Sequence, residues 1–247
     1  MAECHTFPIG EVRRAKRRAA EAARIDRHVA PGAGTRDPTP VLASVDCLRV
    51  RSGWKLLAYL MGGGIGAESQ VVAVPADFDP ANAEREPVTD RPRDDDRPYV
   101  GGGPEIDLGL AAKARRRFMR AVDGDGSPWS YLCASLVVRQ LLDYAAWWHA
   151  LYEHDWFEHV ILAKWPPPSS ALSEPVVGYF VGEQPGLWRS AVWVGARSTT
   201  VRMYTYRPAR ANPEGVWMHE DRYEAGSYDP TLTRTLIAAG RPATILY

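Results

Sequence analysis

Ser127-Pro128 opens the strongest helical signal in the chain, and soon after it the hydrophobic period changes from helical to two. Serine is a good N-cap, and proline suits the first helical position. Leu132, Cys133, Leu136, Val137, Leu141, Tyr144, Trp148 and Leu151 then form a broad apolar face, which predicts a central buried helix. His159–Trp165, Val176–Val181, Trp188–Arg197 and Thr199–Arg207 alternate instead and predict four strands. Pro166 to Pro168, Gln184-Pro185-Gly186 and residues 207–215 separate some of them, and connections this short favour an antiparallel meander. A last helix is expected over Thr231–Ala239 and a strand-like tail over Ala243–Tyr247.

The N-terminal half adds strands before the central helices. Leu42, Val45, Leu48 and Val50 predict a strand within 41–50, followed by strands at Trp54–Leu60 and Gln70–Val74. Ile106, Leu110, Ala114 and Phe118 or Met119 lie at helical spacing and predict a helix over 106–122. Strands, then helices, then strands make the fold class α+β: a mainly antiparallel sheet packed on two central helices. Residues 77–103 are poor in large apolar groups and rich in Asp, Arg, Pro and Gly, and are expected to form a charged surface loop or disordered insertion. Residues 10–29 are rich in Ala, Arg and Glu and predict a helix with only a thin apolar stripe, Val12, Ala15, Ala19 and Ala22. Pro31, Gly32, Gly34, Pro38 and Pro40 follow it. The expected organisation is therefore a basic helical arm with its linker over 1–40 and a single α+β domain over 41–247.

Several function classes lack their sequence signatures. The formal net charge is +0, which does not argue for general attraction to nucleic acids or membranes. No stretch approaches the roughly 18 apolar residues of a membrane span. Arg13-Arg14 and Arg17-Arg18 are followed by more charge and not by an apolar signal region, so a cytoplasmic location, or incorporation into an assembled particle, is expected. Cys4, Cys47 and Cys133 form neither a disulfide framework nor a zinc knuckle, and the last two are expected to act as small buried hydrophobes. Gly62-Gly63-Gly64-Ile65-Gly66 lacks the Gly-Lys-Ser/Thr of a phosphate loop and predicts a hairpin loop. Asp123-Gly124-Asp125-Gly126-Ser127 starts like a calcium loop, but Pro128 and Ala134 stand where glycine and a bidentate glutamate are required. No GxSxG nucleophile elbow is present.

Two clusters remain. His149, His154, Asp155, Glu158 and His159 lie among Trp147, Trp148, Trp156 and Phe157, and could hold a divalent metal that activates water. Their geometry depends on whether 150–158 is helix or strand. His154-Asp155-Trp156-Phe157-Glu158-His159 resembles the HDWE heptapeptide of the necrosis-inducing, NLP-type cytolysins, whose histidine and acids bind a divalent cation. The resemblance covers six residues and departs at Phe157, which is inserted between the tryptophan and the glutamate; that family is secreted. The second cluster is Arg13, Arg14, Lys16, Arg17, Arg18, Arg24 and Arg27, a basic helix able to grip phosphates over residues 10–28 or to dock on an acidic protein surface. The leading expectation is a non-catalytic interaction or assembly protein, as in subunits of larger particles, with a protein partner or self-assembly and no cofactor. A metal-dependent enzyme built on the 149–159 cluster is the alternative, and a nucleic-acid accessory role is the third.

Overall fold

A computed structural model describes residues 2–24, 34–63, 66–79, 118–145, 147–148, 156–164, 185–208 and 214–240. In chain order the elements are β1 (Glu3–Thr6), α1 (Ile9–Ala22), β2 (Gly34–Arg36), α2 (Thr39–Ala43), β3 (Leu48–Val50), β4 (Trp54–Gly63), β5 (Gly66–Pro75), β6 (Val122–Gly124), α3 (Pro128–Leu142), β7 (Trp147–Trp148), β8 (Val160–Ile161), β9 (Ala191–Val194), β10 (Ser198–Arg207), β11 (Gly215–Glu224) and β12 (Thr231–Ala239). Single 3-10 turns cover Phe118–Ala121 and Trp156–Glu158. The fold is α+β, and among the described residues every strand pairing is antiparallel.

The largest sheet has six strands, five in the order β1-β9-β10-β11-β12 and β8 paired with β10 off that path. On one side of β10, β9 covers Thr199 to Arg202 and β8 covers Thr205 and Tyr206. A second sheet runs β2-β4-β5-β7, and β3 pairs with β6 alone. The glycine-rich stretch lies where β4 turns back into β5, with Gly63 opposite Gly66.

Helix α3 is the centre of the molecule. Its cap is the one expected: the Ser127 hydroxyl accepts from the Ser130 N–H at 3.2 Å, and Asp125 accepts from the Ser127 N–H at 2.9 Å. Every residue from Ser130 to Leu141 is buried, so the helix is enclosed on all sides and not on one face. Leu132, Leu136 and Leu141 share one core with Val12, Val41, Leu56, Met119, Val201, Met203 and Tyr223. The basic helix is present as α1 and joins this core. Val12, Ala15 and Ala19 are fully buried, because a stripe of small residues lets two helix backbones approach closely. A thin stripe is thus enough to bury this helix. The Cys133 thiol is buried in the core and hydrogen-bonded with the half-buried Cys47 thiol, which that contact holds below the usual thiol range.

The structure corrects three expectations. Residues 41–50 are not one strand. Asp37 caps the Thr39 N–H at 2.9 Å, α2 follows, and only Leu48–Val50 is extended. The spacing Leu42, Val45, Leu48 is three, a helical interval that the strand assignment overlooked. The central helix does not reach Trp148. It ends at Leu142, Ala145 takes a left-handed φ of 58°, and Trp147–Trp148 pairs with β5. Thr231–Ala239 is a strand and not a helix: its β-branched threonines alternate with Leu232, Arg234 and Leu236, and β11 pairs with it along its length except for a bulge at Ile237. The expected strand at 176–181, residues 106–117 of the expected helix, the loop at 80–103 and the tail at 243–247 lie outside the described residues; the described end of that expected helix, 118–122, is instead a 3-10 turn leading into β6.

Candidate functional site

The inward face of β11 is polar. His219, Asp221 and Tyr223 alternate along it, all buried, and each needs a partner there. Arg139, near the C-terminal end of α3, meets Asp221 with two hydrogen bonds of 2.6 Å and gives a third to the Ser135 carbonyl at 2.8 Å. Ser135 and Tyr223 share a hydrogen bond of 2.7 Å between their hydroxyls. Thr205 of β10 sits between two imidazoles, with its Oγ1 2.7 Å from His159 Nδ1 and 2.8 Å from His219 Nε2. A threonine hydroxyl carries one proton, so it donates to one ring and accepts from the other. His219 is kept neutral: burial holds it well below the usual histidine range, and the positive charges of Arg139, Arg234 and Lys16 add to the effect.

Beside this network lies an open pocket of about 200 Å³. The end of α3 contributes Arg139, Leu142 and Asp143, the 3-10 turn contributes Trp156, β11 contributes His219, and β12 contributes residues 232–234. Trp156 is clamped in place. Its backbone N–H donates to Asp143 at 2.7 Å, and its backbone carbonyl accepts from Lys16 Nζ at 2.8 Å. The Lys16 ammonium sits 4.7 Å from the Trp156 ring centroid, and His219 meets that ring edge-on at 5.4 Å. Two buried nitrogens of these residues, Trp156 Nε1 and His219 Nδ1, have no hydrogen-bond partner among the described residues.

Burial lowers the Lys16 pKa from 10.5 to about 8, with Asp143 opposing the shift. The unfolded chain therefore binds more protons than the native one between those values, and this group's contribution to stability rises with pH across that window. Urea denaturation of wild type and Lys16→Met at pH 7 and pH 10 should show the difference moving in favour of wild type by roughly 2 kcal/mol. An unchanged difference would place the ammonium in solvent.

The expected sites are only partly represented. His159 is 98% buried, since 2% of its surface is exposed, and it faces Thr205. Glu158 lies next to it in the 3-10 turn; His149, His154 and Asp155 lie outside the described residues. Among the described residues no three of His, Cys, Asp and Glu are grouped to hold a metal. On α1, Arg13 donates twice to the Ile161 carbonyl, at 3.0 and 2.7 Å, and Lys16 is committed to Trp156. Arg14, Arg17, Arg18 and Arg24 are exposed, Arg17 is 3.9 Å from Glu21, and Arg27 lies outside the described residues. The basic residues therefore do not act as one set: two of them fasten the helix to the 156–161 segment.

No protein-family model matches this chain, no curated protein matches it, and no solved structure matches it. Among the described residues no helix is long and apolar enough to cross a membrane.

The network of Arg139, Thr205, His219 and Asp221 and the pocket beside it were not among the expected sites. One signal was available. Arg139 follows the apolar run Leu136-Val137-Val138 on a helix predicted to be buried, and a buried guanidinium demands a carboxylate.

Proposed function

We propose that this is a non-catalytic interaction protein that takes up an extended, acidic segment of a partner protein along β12. The observation that carries this reading is the exposure of Thr231, Leu232, Thr233, Arg234 and Thr235, each open to solvent although the strand is laddered to β11. β12 ends the order of its sheet, and no described strand pairs with its outer edge. Sheet edges are commonly blunted by proline, by bulges or by several charges, because an open edge recruits strands. The segment 231–235 has none of the first two and a single charge, Arg234. Main-chain hydrogen bonds to such an edge supply affinity, and side chains supply choice. β12 contains no acid, and Arg222 lies opposite Thr231, so an acidic segment is the complementary one.

The test is selection of peptides from a random display library on the intact chain, followed by amide hydrogen exchange of the complex. Selected peptides should be rich in Asp and Glu, should slow exchange over 231–235, and should bind Arg234→Glu at least about ten-fold more weakly. Peptides without acidic bias, or protection elsewhere, would overturn the proposal. Protection of 231–235 that grows with protein concentration and without peptide would replace the partner by a second copy of the chain.

A further inference from the structure

We infer that Cys47 and Cys133 form an oxidation-sensitive staple: peroxide converts this thiol pair into a disulfide that ties the junction of α2 and β3 to the central helix. The two thiols are already in contact through a hydrogen bond. Their backbones are anchored on one turn. The Cys47 carbonyl accepts from the Asp125 N–H at 3.2 Å, and the next residue, Leu48, lies opposite Gly124 in the β3–β6 pair. Asp125 and Ser127 set the start of α3, and Cys133 stands on that helix. The fold itself therefore holds the two sulfurs together. Cys133 belongs to the core, and Cys47 packs against that core while keeping some contact with solvent. An oxidant can reach Cys47 first, and Cys133 only through it.

This asymmetry assigns the roles. The thiolate is the reactive form of cysteine. The hydrogen bond from Cys133 holds the Cys47 thiol below its usual range, against burial and the charges of Asp125 and Asp46. The same bond, together with burial, pushes Cys133 up. Cys47 is thus the attacking sulfur and Cys133 the resolving one. The Cys47 thiolate attacks one oxygen of hydrogen peroxide. The O–O bond breaks, Cys47 becomes a sulfenic acid, and the departing hydroxide takes up the proton that Cys47 released. Cys133 then attacks the Cys47 sulfur. The S–S bond forms, the S–O bond breaks, and the leaving hydroxide carries off the Cys133 proton as a second water. The pair loses two hydrogens, and one peroxide is reduced to two waters. The bond encloses residues 48–132 in a covalent loop, which restricts the unfolded chain and so favours the folded one. β12 takes no part, and the staple stands apart from strand addition.

The test adds hydrogen peroxide to the folded full chain carrying Cys4→Ser, so that only this pair can react. Both thiols should disappear, the mass should fall by two hydrogens, and a digest should contain one peptide pair linked through 47 and 133. Dithiothreitol should restore both thiols. The oxidised chain should melt about 5 °C or more above the reduced one. In Cys133→Ala the reaction should stop at a Cys47 sulfenic acid captured by dimedone. In Cys47→Ala, Cys133 should react at least about ten-fold more slowly than Cys47 does in the intact pair. Oxygen gained without a link, a link that forms only in urea, an unchanged or lower melting temperature, or labelling of Cys133 ahead of Cys47 would overturn the staple. The linked peptide is read with both cysteines in place, so a core variant that fails to fold leaves the test intact.

Discussion

Asp221→Ala is expected to lower folding stability by about 3–5 kcal/mol, the usual effect of stranding one member of a buried ion pair. Arg139 is 8% exposed on a helix enclosed on every side, and Asp221 is fully buried. With the carboxylate gone, the guanidinium keeps only the Ser135 carbonyl, and a guanidinium does not escape burial by giving up its charge. Urea denaturation followed by circular dichroism measures the loss. The double variant Arg139→Met/Asp221→Leu should recover most of it, since an apolar pair of similar volume often equals a buried ion pair in stability. A single variant within about 1 kcal/mol of wild type would mean that water reaches Arg139.

Gly124→Val is expected to cost about 2–4 kcal/mol. A β-carbon at this position of β6 would run into the hydroxyl end of the Tyr228 ring. That ring has little room to yield. It stacks on Tyr131 with centroids 4.7 Å apart, its hydroxyl accepts from the Gly126 N–H at 2.9 Å, and it shares a 2.6 Å hydrogen bond with Ser130. The clash therefore falls on the turn that starts α3. In a double-mutant cycle, Gly124→Val and Tyr228→Leu together should cost clearly less than the sum of the two, because a smaller side chain at 228 removes the obstacle. Additive losses would locate the strain elsewhere.

What could be seen in the sequence follows how local its cause is. The start of α3 is set by Ser127, Pro128 and Asp125, neighbours whose hydrogen bonds form within one turn, and it was legible. β10 was legible because Val201 and Met203 point inward between polar residues. β11 has the same pleat, but its inward residues are His219, Asp221 and Tyr223, so no apolar alternation betrays it. The buried polar strand and the site are the same object, and both escaped for that reason. The 149–159 cluster drew notice because its members are close in sequence. The pocket and its network bring together Lys16, Arg139, Trp156, Thr205, His219 and Arg234, which only the folded chain can do.

The pairing of β1 with β9 bears on how the molecule is made. Glu3 finds its place opposite Val194, so β1 cannot pair until β9, far along the chain, has been made. Closing a loop of that length costs entropy before any contact is gained, and folds rich in such pairings form slowly. Helix α1 waits in the same way, since Arg13 needs the carbonyl of Ile161 and its buried stripe needs the core around α3. A chain stopped before residue 190 would lack β9 through β12 and leave β1 without its strand partner.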